Sequence, residues 1–224
     1  MREPIELVQR VDIIKSISRG KKVLHLGCTN YPYTQVAIEG DALLHNELEL
    51  VAAELFGFDY DQKGIDILAA LGSTNLYRAD LEKLDEVDLD IKFDVIIAGE
   101  IIEHLNNPGL FLNGIQRFMN AESELIITTI NAYSALRFAT YALRGKGGTN
   151  EPVHPDHVYY FSYRTLKLLV ERAGLTVKDF YFYDLGTEHR PFNPWYYNLI
   201  NDVAVKVSTQ VADGVIARCT LAQK

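Results

Sequence analysis

Two short segments of the chain carry side chains that could transfer a proton. Glu100, Glu103 and His104 are spaced closely enough to lie on one turn of a helix, and His154 and His157 flank a Pro-Asp pair further along. Because histidine exchanges a proton near neutral pH, each of these histidines is a candidate general base. The alternative interpretation, for each of them, is a histidine that is simply hydrogen-bonded within a loop.

The same side-chain types also bind metal ions. Glu100, Glu103 and His104 could supply part of a metal site. A complete site needs further ligands, and the sequence offers no second cluster that would provide them. We therefore expect no metal site in this protein.

Polar or glycine residues end a series of short apolar segments. The pattern predicts strands at residues 23–27, 57–61, 75–80, 93–99 and 124–130, and helices at residues 4–18, 42–56, 65–71 and 108–119. Strands that alternate with helices are typical of a mostly parallel sheet wrapped by helices. Ligands of such sheets bind outside the carboxyl ends of the strands. This rule selects the loops at Gly27, Asp59, Asp80 and Gly99 as candidate binding loops.

Residues 131–162 break the alternation. They begin with a helical pattern and continue into a glycine-rich stretch at 144–150 and a segment with two prolines and two histidines at 151–157. Connections this long inside a compact domain are usually functional or disordered, so we predict a substrate lid over 131–162. The remaining pattern predicts helices at 163–173 and 193–203 and strands at 177–183 and 214–219, with an antiparallel edge strand on the sheet.

The order of these segments resembles the class I S-adenosyl-L-methionine (SAM)-dependent methyltransferases, in their small-molecule branch. The resemblance is carried by VLHLGC at 23–28, GFD at 57–59, ADL at 79–81, FDVIIAGEIIEHL at 93–105 and HVYYFS at 157–162. It implies SAM as the cofactor and a Rossmann-like α/β fold, doubly wound around a mostly parallel seven-stranded sheet. It also implies a single domain over 1–224, with an antiparallel edge strand and the lid as an insertion.

The resemblance implies a role for each strand end. The residues that would contact the cofactor are Gly27, Cys28, Thr29, Asp59, Tyr60, Asp80, Leu81, Gly99 and Glu100. The glycine turn at Gly27 would let the backbone approach the methionine part of SAM. Asp59 would accept the ribose hydroxyls, and Asp80 would accept the adenine amino group. Gly99 and Glu100 would line the pocket for methyl transfer.

The turn after the first of these strands departs from the family pattern. His25 stands where the family has an acid, and Thr29 and Tyr31 stand where it has glycines. Cys28 is expected to be a packing residue rather than a nucleophile. A nicotinamide-dependent enzyme would need glycines spaced G-x-G-x-x-G, whereas the sequence from Gly27 is GCTNYP, so this class ranks last.

Composition excludes several other classes. The net charge is −8 and no dense run of lysine or arginine occurs, which argues against a nucleic-acid partner. The chain has two cysteines, far apart in sequence, which favours a reducing compartment over a disulfide framework. No apolar stretch is long enough to cross a bilayer, and the amino terminus lacks the apolar core of a signal peptide. We expect a cytoplasmic protein without a membrane partner.

Two functions fit these observations. The order of the motifs favours methyl transfer from SAM to an oxygen, or less readily a nitrogen, of a small molecule or saccharide. The altered turn favours the alternative, a catalytically inactive methyltransferase fold that serves as a binding or partner module in a biosynthetic complex.

Overall fold

Strands and helices alternate along most of the chain. The computed structural model describes residues 5–144, 155–186, 190 and 193–222. Its strands are β1 (Leu7–Val8), β2 (Lys22–Leu26), β3 (Glu54–Asp59), β4 (Leu76–Arg78), β5 (Val95–Gly99), β6 (Glu124–Ile130), β7 (Leu175–Tyr183) and β8 (Gly214–Leu221). Its α-helices are α1 (Arg10–Ser18), α2 (Thr34–Glu39), α3 (Leu44–Glu49), α4 (Gln62–Ala70), α5 (Pro108–Gly114), α6 (Ala135–Arg144), α7 (Tyr163–Arg172) and α8 (Trp195–Val207).

All of these strands join one eight-stranded sheet in the order β1-β7-β8-β6-β5-β2-β3-β4. Strand β2 lies between β3 and β5 and runs parallel to both, with Leu26 opposite Phe58 on one side and Ala98 on the other. Parallel strands in this register end at the same edge of the sheet. The loops that follow β2, β3 and β5 are therefore neighbours, which is the arrangement that a ligand site requires.

Apolar residues cover both faces of the sheet. Leu24 and Leu26 of β2 belong to a large buried cluster on one face, whereas Val23 packs with Ile14 of α1 and Leu48 of α3 on the other. Side chains alternate between faces along a strand, so a strand covered on both sides reads as a continuous apolar run. Each large side chain buried in this way stabilises the fold by about 2 kcal/mol.

The expected α/β fold with a doubly wound, mostly parallel sheet is confirmed. The strand count differs, because Leu7 and Val8 pair with β7 and add an eighth strand where the sequence predicted a helix from residue 4. The antiparallel strand also differs in position. It is β8, which lies between β6 and β7 rather than at the edge, because it can form hydrogen-bonded ladders with both neighbours there.

Element bounds follow the predictions closely where the pattern is strongest. Strand β6 has the predicted bounds, 124–130. The helix expected over 42–56 is shorter, since α3 ends at Glu49 and strand β3 already begins at Glu54. Sheet pairing along β2 stabilises residues 54–56 as a strand, and this pairing overrides their local helical pattern.

The segment expected to be a lid is described at 131–144 and 155–162. Its first residue, Asn131, is buried, and its amide donates to the carbonyl oxygens of Gln210 and Ala212, at 2.9 Å each. The segment is therefore fixed at its start to the connection between α8 and β8, and its role as a lid stays a prediction. Among the helices that the structure describes, none combines the length and apolar character needed to cross a membrane.

Candidate functional site

The turn after β2 is packed tightly against its neighbours. Gly27 has φ +72°, and a Cβ atom there would lie 2.3 Å from Cδ1 of Ile101, so both the conformation and the space require glycine. The backbone N–H groups of Gly27 and Cys28 donate to the Phe58 carbonyl oxygen, at 2.8 and 3.3 Å. Cys28 is fully buried, and burial raises the pKa of its thiol far above the usual value, which leaves no reactive thiolate.

Asp59, at the end of β3, uses most of its hydrogen-bonding capacity within the protein. Its Oδ2 accepts from the backbone N–H and from the hydroxyl of Thr29, at 2.9 Å each, and its Oδ1 accepts from the Asp61 N–H at 2.9 Å. A carboxylate offers about four acceptor positions. One position therefore stays open on Oδ1, which is enough for one ribose hydroxyl but not for two.

The two residues after Asp59 differ in their roles. Asp61 is the N-cap of α4, because its carboxylate accepts from the N–H groups of Lys63 and Gly64. Tyr60 is exposed, and the Arg78 guanidinium lies 5.0 Å from the centre of its ring. Tyr60 thus sits at the outer end of β3 and β4, on the side where the resemblance expects the nucleoside.

Asp80 and Leu81 follow β4. Leu81 is buried in the core, while Asp80 is half-buried and its Oδ1 accepts from the Glu82 N–H at 3.0 Å. A groove of about 330 Å³ runs beside Asp80, between Tyr77 and Lys83. Asp80 retains acceptor capacity toward this groove, since the Glu82 bond uses one position of its carboxylate.

Histidine replaces the expected acid at the end of β2. His25 and His45 are both buried, with their Nδ1 atoms 3.2 Å apart and their rings stacked. Burial lowers the pKa of His25 well below its usual value, and the charges of His45 and Arg10 lower it further. Burial likewise lowers the pKa of His45 to about 4. Both rings are therefore neutral near pH 7, so the end of β2 carries no charge.

Glu100 follows the last residue of β5 in a left-handed conformation, with φ +56°. Its Oε1 accepts from the Tyr183 hydroxyl at 2.5 Å, and the Thr128 hydroxyl lies 3.5 Å away. Gly99 is half-buried beside it, next to the Arg10 guanidinium. The strand end that was expected to line the methyl-transfer pocket therefore carries one carboxylate with a neighbouring cation.

A second group of polar side chains begins at Glu103, three residues after Glu100. One donor atom from each of Glu103, His104 and His157 lies within 4.8 Å of the other two. The imidazole rings of His104 and His157 meet edge to face, with centres 4.6 Å apart, and Asp156 approaches Nδ1 of His104 at 3.6 Å. The Glu103 carbonyl oxygen accepts from the Val158 N–H at 2.8 Å, which holds the segment of His157 in place.

Glu103 is the most unusual member of this group. It is fully buried, and neither of its carboxylate oxygens has hydrogen-bonding geometry with any residue in the described part of the chain. Burial raises its pKa well above the usual value, and the nearby charge of Glu100 adds to this effect, although the Thr129 hydroxyl and Arg137 oppose it. A buried carboxyl of this kind is stable when it holds a proton or meets a cation.

The group has the chemistry of either a proton acceptor or a metal site. Two imidazoles and one carboxylate suit zinc and related divalent ions. Tetrahedral coordination places donor atoms about 3.4 Å apart, and the three donors here lie within 4.8 Å of one another. The fold thus returns His157, from a segment distant in sequence, to the Glu103–His104 turn, and the expectation that no metal binds stays a prediction.

An open groove lies between the start of α5 and α7, and its lining residues Asn106 and Tyr159 are each two residues along the chain from His104 and His157. It has a volume of about 610 Å³, and its walls include Pro108, Leu110, Phe161 and Arg172. The hydroxyl of Tyr159, which also lines the groove, donates to the Asn106 carbonyl oxygen at 3.1 Å. A mostly apolar wall with a few polar groups at its rim is typical of small-molecule sites.

The structure brings together only some of the expected catalytic residues. His104 and His157 are in contact, whereas His154 lies outside the described residues. Sequence reasoning missed Tyr183 and His45, because each meets its partner across the fold. The intervals are 83 residues for Tyr183 and Glu100, and 20 residues for His45 and His25. No local sequence pattern marks either contact.

The sheet order, the glycine turn after β2 and the acids that follow β3, β4 and β5 define a Rossmann-like fold of the methyltransferase type. The chain belongs to the methyltransferase domain family, whose sequence model matches residues 2–179. The resemblance to class I SAM-dependent methyltransferases is thereby confirmed.

Individual relatives are distant. The chain is 26% identical over 181 residues to a ubiquinone biosynthesis O-methyltransferase of Bartonella tribocorum, a match that covers 77% of this chain and 65% of that protein. It therefore spans less than two thirds of that relative's length.

Solved structures share the fold along nearly the whole chain. A SAM-dependent methyltransferase of Mesorhizobium loti matches with a TM-score of 0.57 at 14% identity, over 94% of this chain and 95% of that one. An N1-methyltransferase of Burkholderia thailandensis, which acts on 1,6-didemethyltoxoflavin, matches with a TM-score of 0.53 at 13% identity, over 95% and 76% of the two chains. Identities this low show the shared fold alone, and none of these comparisons supports an inactive module.

Proposed function

We propose that this protein is a SAM-dependent methyltransferase that methylates an oxygen of a small molecule or saccharide. The observation that carries the proposal is the position of the Glu103–His104–His157 group. The group begins three residues after Glu100, beyond the end of β5. The family resemblance expects this strand end to line the methyl-transfer pocket. The name of the Bartonella relative supports oxygen as the acceptor atom, and the Burkholderia enzyme makes nitrogen the second candidate.

Several groups at the sheet edge fit the cofactor. The open acceptor position on Asp59 Oδ1 can bind one ribose hydroxyl, and Asp80 can accept from the adenine amino group. Glu100 offers a carboxylate to a positively charged part of the molecule. When bound, SAM supplies an electrophilic methyl group on its sulfonium and leaves as S-adenosylhomocysteine (SAH).

The protein's own residues would orient the acceptor and remove its proton. An acceptor hydroxyl that reaches His104 or His157 can pass its proton to an imidazole nitrogen while the oxygen attacks the methyl carbon. The groove beside Tyr159 and Phe161 would hold the rest of the acceptor. Correct placement of the oxygen supplies a large part of the rate, because a single-step transfer depends on alignment of the reacting atoms.

Calorimetry with SAM and SAH, followed by methyl transfer from radiolabelled SAM to a panel of phenols and sugars, tests this proposal. We expect both ligands to bind and one acceptor class to be labelled. Asp59→Asn should weaken SAH binding by about tenfold through the lost charge. Asp66→Asn, an exposed acid on α4, is the matched control and should leave binding unchanged. Failure of the wild-type protein to bind either ligand at millimolar concentration would refute the proposal.

The same assay separates two ways of removing the acceptor proton. With a histidine as the base, treatment with a chelator leaves the rate unchanged and His157→Ala lowers it. With a divalent ion bound by Glu103, His104 and His157, the chelator abolishes the rate and added zinc restores it. Full activity of the His104→Ala/His157→Ala double variant would contradict both routes.

A further inference from the structure

The amino acid part of SAM, its head group, carries two charged groups that a binding site has to accommodate. It carries an α-ammonium next to an α-carboxylate, and an ammonium group held away from water needs an anionic partner. The end of β2 does not supply one, because His25 is buried and neutral. Asp59 at the end of β3 has its carboxylate largely occupied by Thr29 and Asp61. The anionic partner must therefore come from another strand end.

Glu100 follows the end of β5, the strand next to β2. The two strands run parallel with Ala98 opposite Leu26, so the backbone at Glu100 leaves the sheet at the same edge as the turn at Gly27, while the Glu100 carboxylate turns toward Thr128 and Tyr183. Glu100 has φ +56°, a conformation that residues other than glycine rarely adopt. Residues held in such conformations cluster at ligand sites, where the surrounding contacts maintain them.

Tyr183 maintains the position of Glu100. It lies at the end of β7, with β8 and β6 between it and β5, and its hydroxyl reaches Glu100 Oε1 at 2.5 Å. Burial and the charge of Glu100 raise the pKa of Tyr183 well above its usual value, so the phenol remains a proton donor. Thr128 approaches the same oxygen. Oε2 is therefore left to accept from a ligand.

Gly214 makes room for this contact. It lies directly opposite Tyr183 in the pairing of β7 with β8. A Cβ atom at Gly214 would lie 1.8 Å from Cζ and 2.2 Å from the hydroxyl oxygen of Tyr183. Any side chain at position 214 would thus displace the ring that holds Glu100, which gives this glycine a role in the site as well as in the sheet.

A cation completes the surroundings of Glu100. The Arg10 guanidinium lies 3.6 Å from where a Cβ atom of Gly99 would be, and its charge acts on both His25 and Tyr183. Arg10 and Glu100 thus give the end of β5 groups of opposite charge, which are complementary to a zwitterionic amino acid, and the charge of Arg137 also acts on Glu100.

We propose that Glu100, positioned by Tyr183 and made possible by Gly214, binds the α-ammonium group of the cofactor. The inference rests on the proposed use of SAM, and it assigns to β5 the negative charge that β2 lacks. Glu100 is the binding residue, and Tyr183 is a positioning residue that acts through it.

Calorimetry with three ligands tests the assignment without turnover. SAH has both head-group charges, decarboxylated SAH keeps the ammonium alone, and 5′-methylthioadenosine has neither. Glu100→Gln should weaken SAH and decarboxylated SAH by about 10- to 100-fold and leave methylthioadenosine within about twofold. Tyr183→Phe should weaken the first two ligands by about 3- to 10-fold with the same selectivity. Glu122→Gln removes an exposed glutamate charge and should change none of them.

Each other result overturns the assignment. If Glu100→Gln binds SAH as tightly as the wild-type protein, Glu100 is not the partner of the ammonium. If it weakens SAH and methylthioadenosine equally, the substitution damages the site as a whole and the ammonium contact is refuted. If the wild-type protein binds none of the ligands, the proposed function fails together with this inference. Thermal melting of each variant confirms that the folded protein is being compared.

Discussion

The two sides of the sheet edge treat their polar groups in opposite ways. On the β2–β3 side, Asp59 is bonded to Thr29 and Asp61, and the two histidines of that side contact each other. On the β5 side, Glu100 is held in a left-handed conformation and Glu103 is buried without a hydrogen bond from the described residues. The first side resembles a finished structural turn. On the second side, the carboxyl groups of Glu100 and Glu103 keep hydrogen-bonding capacity that the described residues do not use, and a ligand or a proton can use it.

This difference indicates where chemistry and recognition reside. A turn that satisfies most of its own polar groups is stable without ligand. A residue held in a strained conformation and a buried carboxyl without a hydrogen bond from the described residues both cost free energy, so binding that relieves them is favoured. The departures from the family pattern agree with this difference between the two sides. His25 replaces an acid and so removes a negative charge from β2, and Thr29 replaces a glycine and so fills space after it, whereas Glu100 and Glu103 follow β5.

The largest expected effect comes from filling the space that Tyr183 needs. Gly214→Ala should lower the free energy of unfolding by about 3 kcal/mol, because the new methyl group overlaps the phenol ring. Urea denaturation measures the loss. Combining it with Tyr183→Leu, which removes the ring atoms involved, should recover about half of that loss. If the double variant is destabilised as much as Gly214→Ala alone, the alanine disturbs the pairing of β8 in the sheet and not the ring of Tyr183.

The two sides should also respond to pH in opposite directions. On the β2 side, the unfolded histidines bind protons below about pH 6.5 whereas buried His45 does not until about pH 4, so stability falls as pH falls through this window. On the β5 side, the folded protein retains the Glu103 proton above pH 4.5, where the unfolded chain has lost it, so stability falls as pH rises. The slope for one proton is at most about 1.4 kcal/mol per pH unit.

Urea denaturation of the chelator-treated protein, measured from about pH 4 to pH 8, separates the contribution of His45 from that of Glu103. His45→Gln should reduce the slope of the acidic limb alone, since buried His25 still contributes there, and Glu103→Gln should flatten the limb toward higher pH alone. Parallel profiles for the wild-type protein and both variants would show that neither group is buried as the structure has it.

The smallest effect concerns the bond between Thr29 and Asp59. Thr29→Val removes the hydroxyl and should cost about 1 kcal/mol of stability, measured by thermal melting. It also frees an acceptor position on Asp59 Oδ2, so SAH should bind about two- to fivefold more tightly, since the carboxylate can then accept a second ribose hydroxyl. Thr29→Ser keeps the hydroxyl and serves as the control. Weaker SAH binding in Thr29→Val would indicate that this hydroxyl contacts the ligand directly.

Local pattern was sufficient for the sheet and for the edge at which the candidate loops lie. The apolar runs at 93–99 and 124–130 predicted β5 and β6, because long stretches of branched residues between polar turns suit a strand buried on both faces. The loops after β2, β3 and β5 share one edge because these strands are parallel neighbours, and the role of their residues in binding stays a prediction. The eighth strand was not foreseeable, because two residues carry no periodicity of their own.

The sequence by itself therefore determined the fold class, the family and the loops at the carboxyl ends of the strands, all of which depend on local periodicity and residue order. Only the tertiary structure decided which side chains in those loops are already paired and which remain available. Thr29 meets Asp59 across 30 residues and Tyr183 meets Glu100 across 83. The meeting of His157 with Glu103 likewise depends on the path of the chain after β6. Such contacts are set by strand register and by the shape of the core, because hydrogen bonds require positions accurate to a few tenths of an ångström, and residue types along a chain do not encode that.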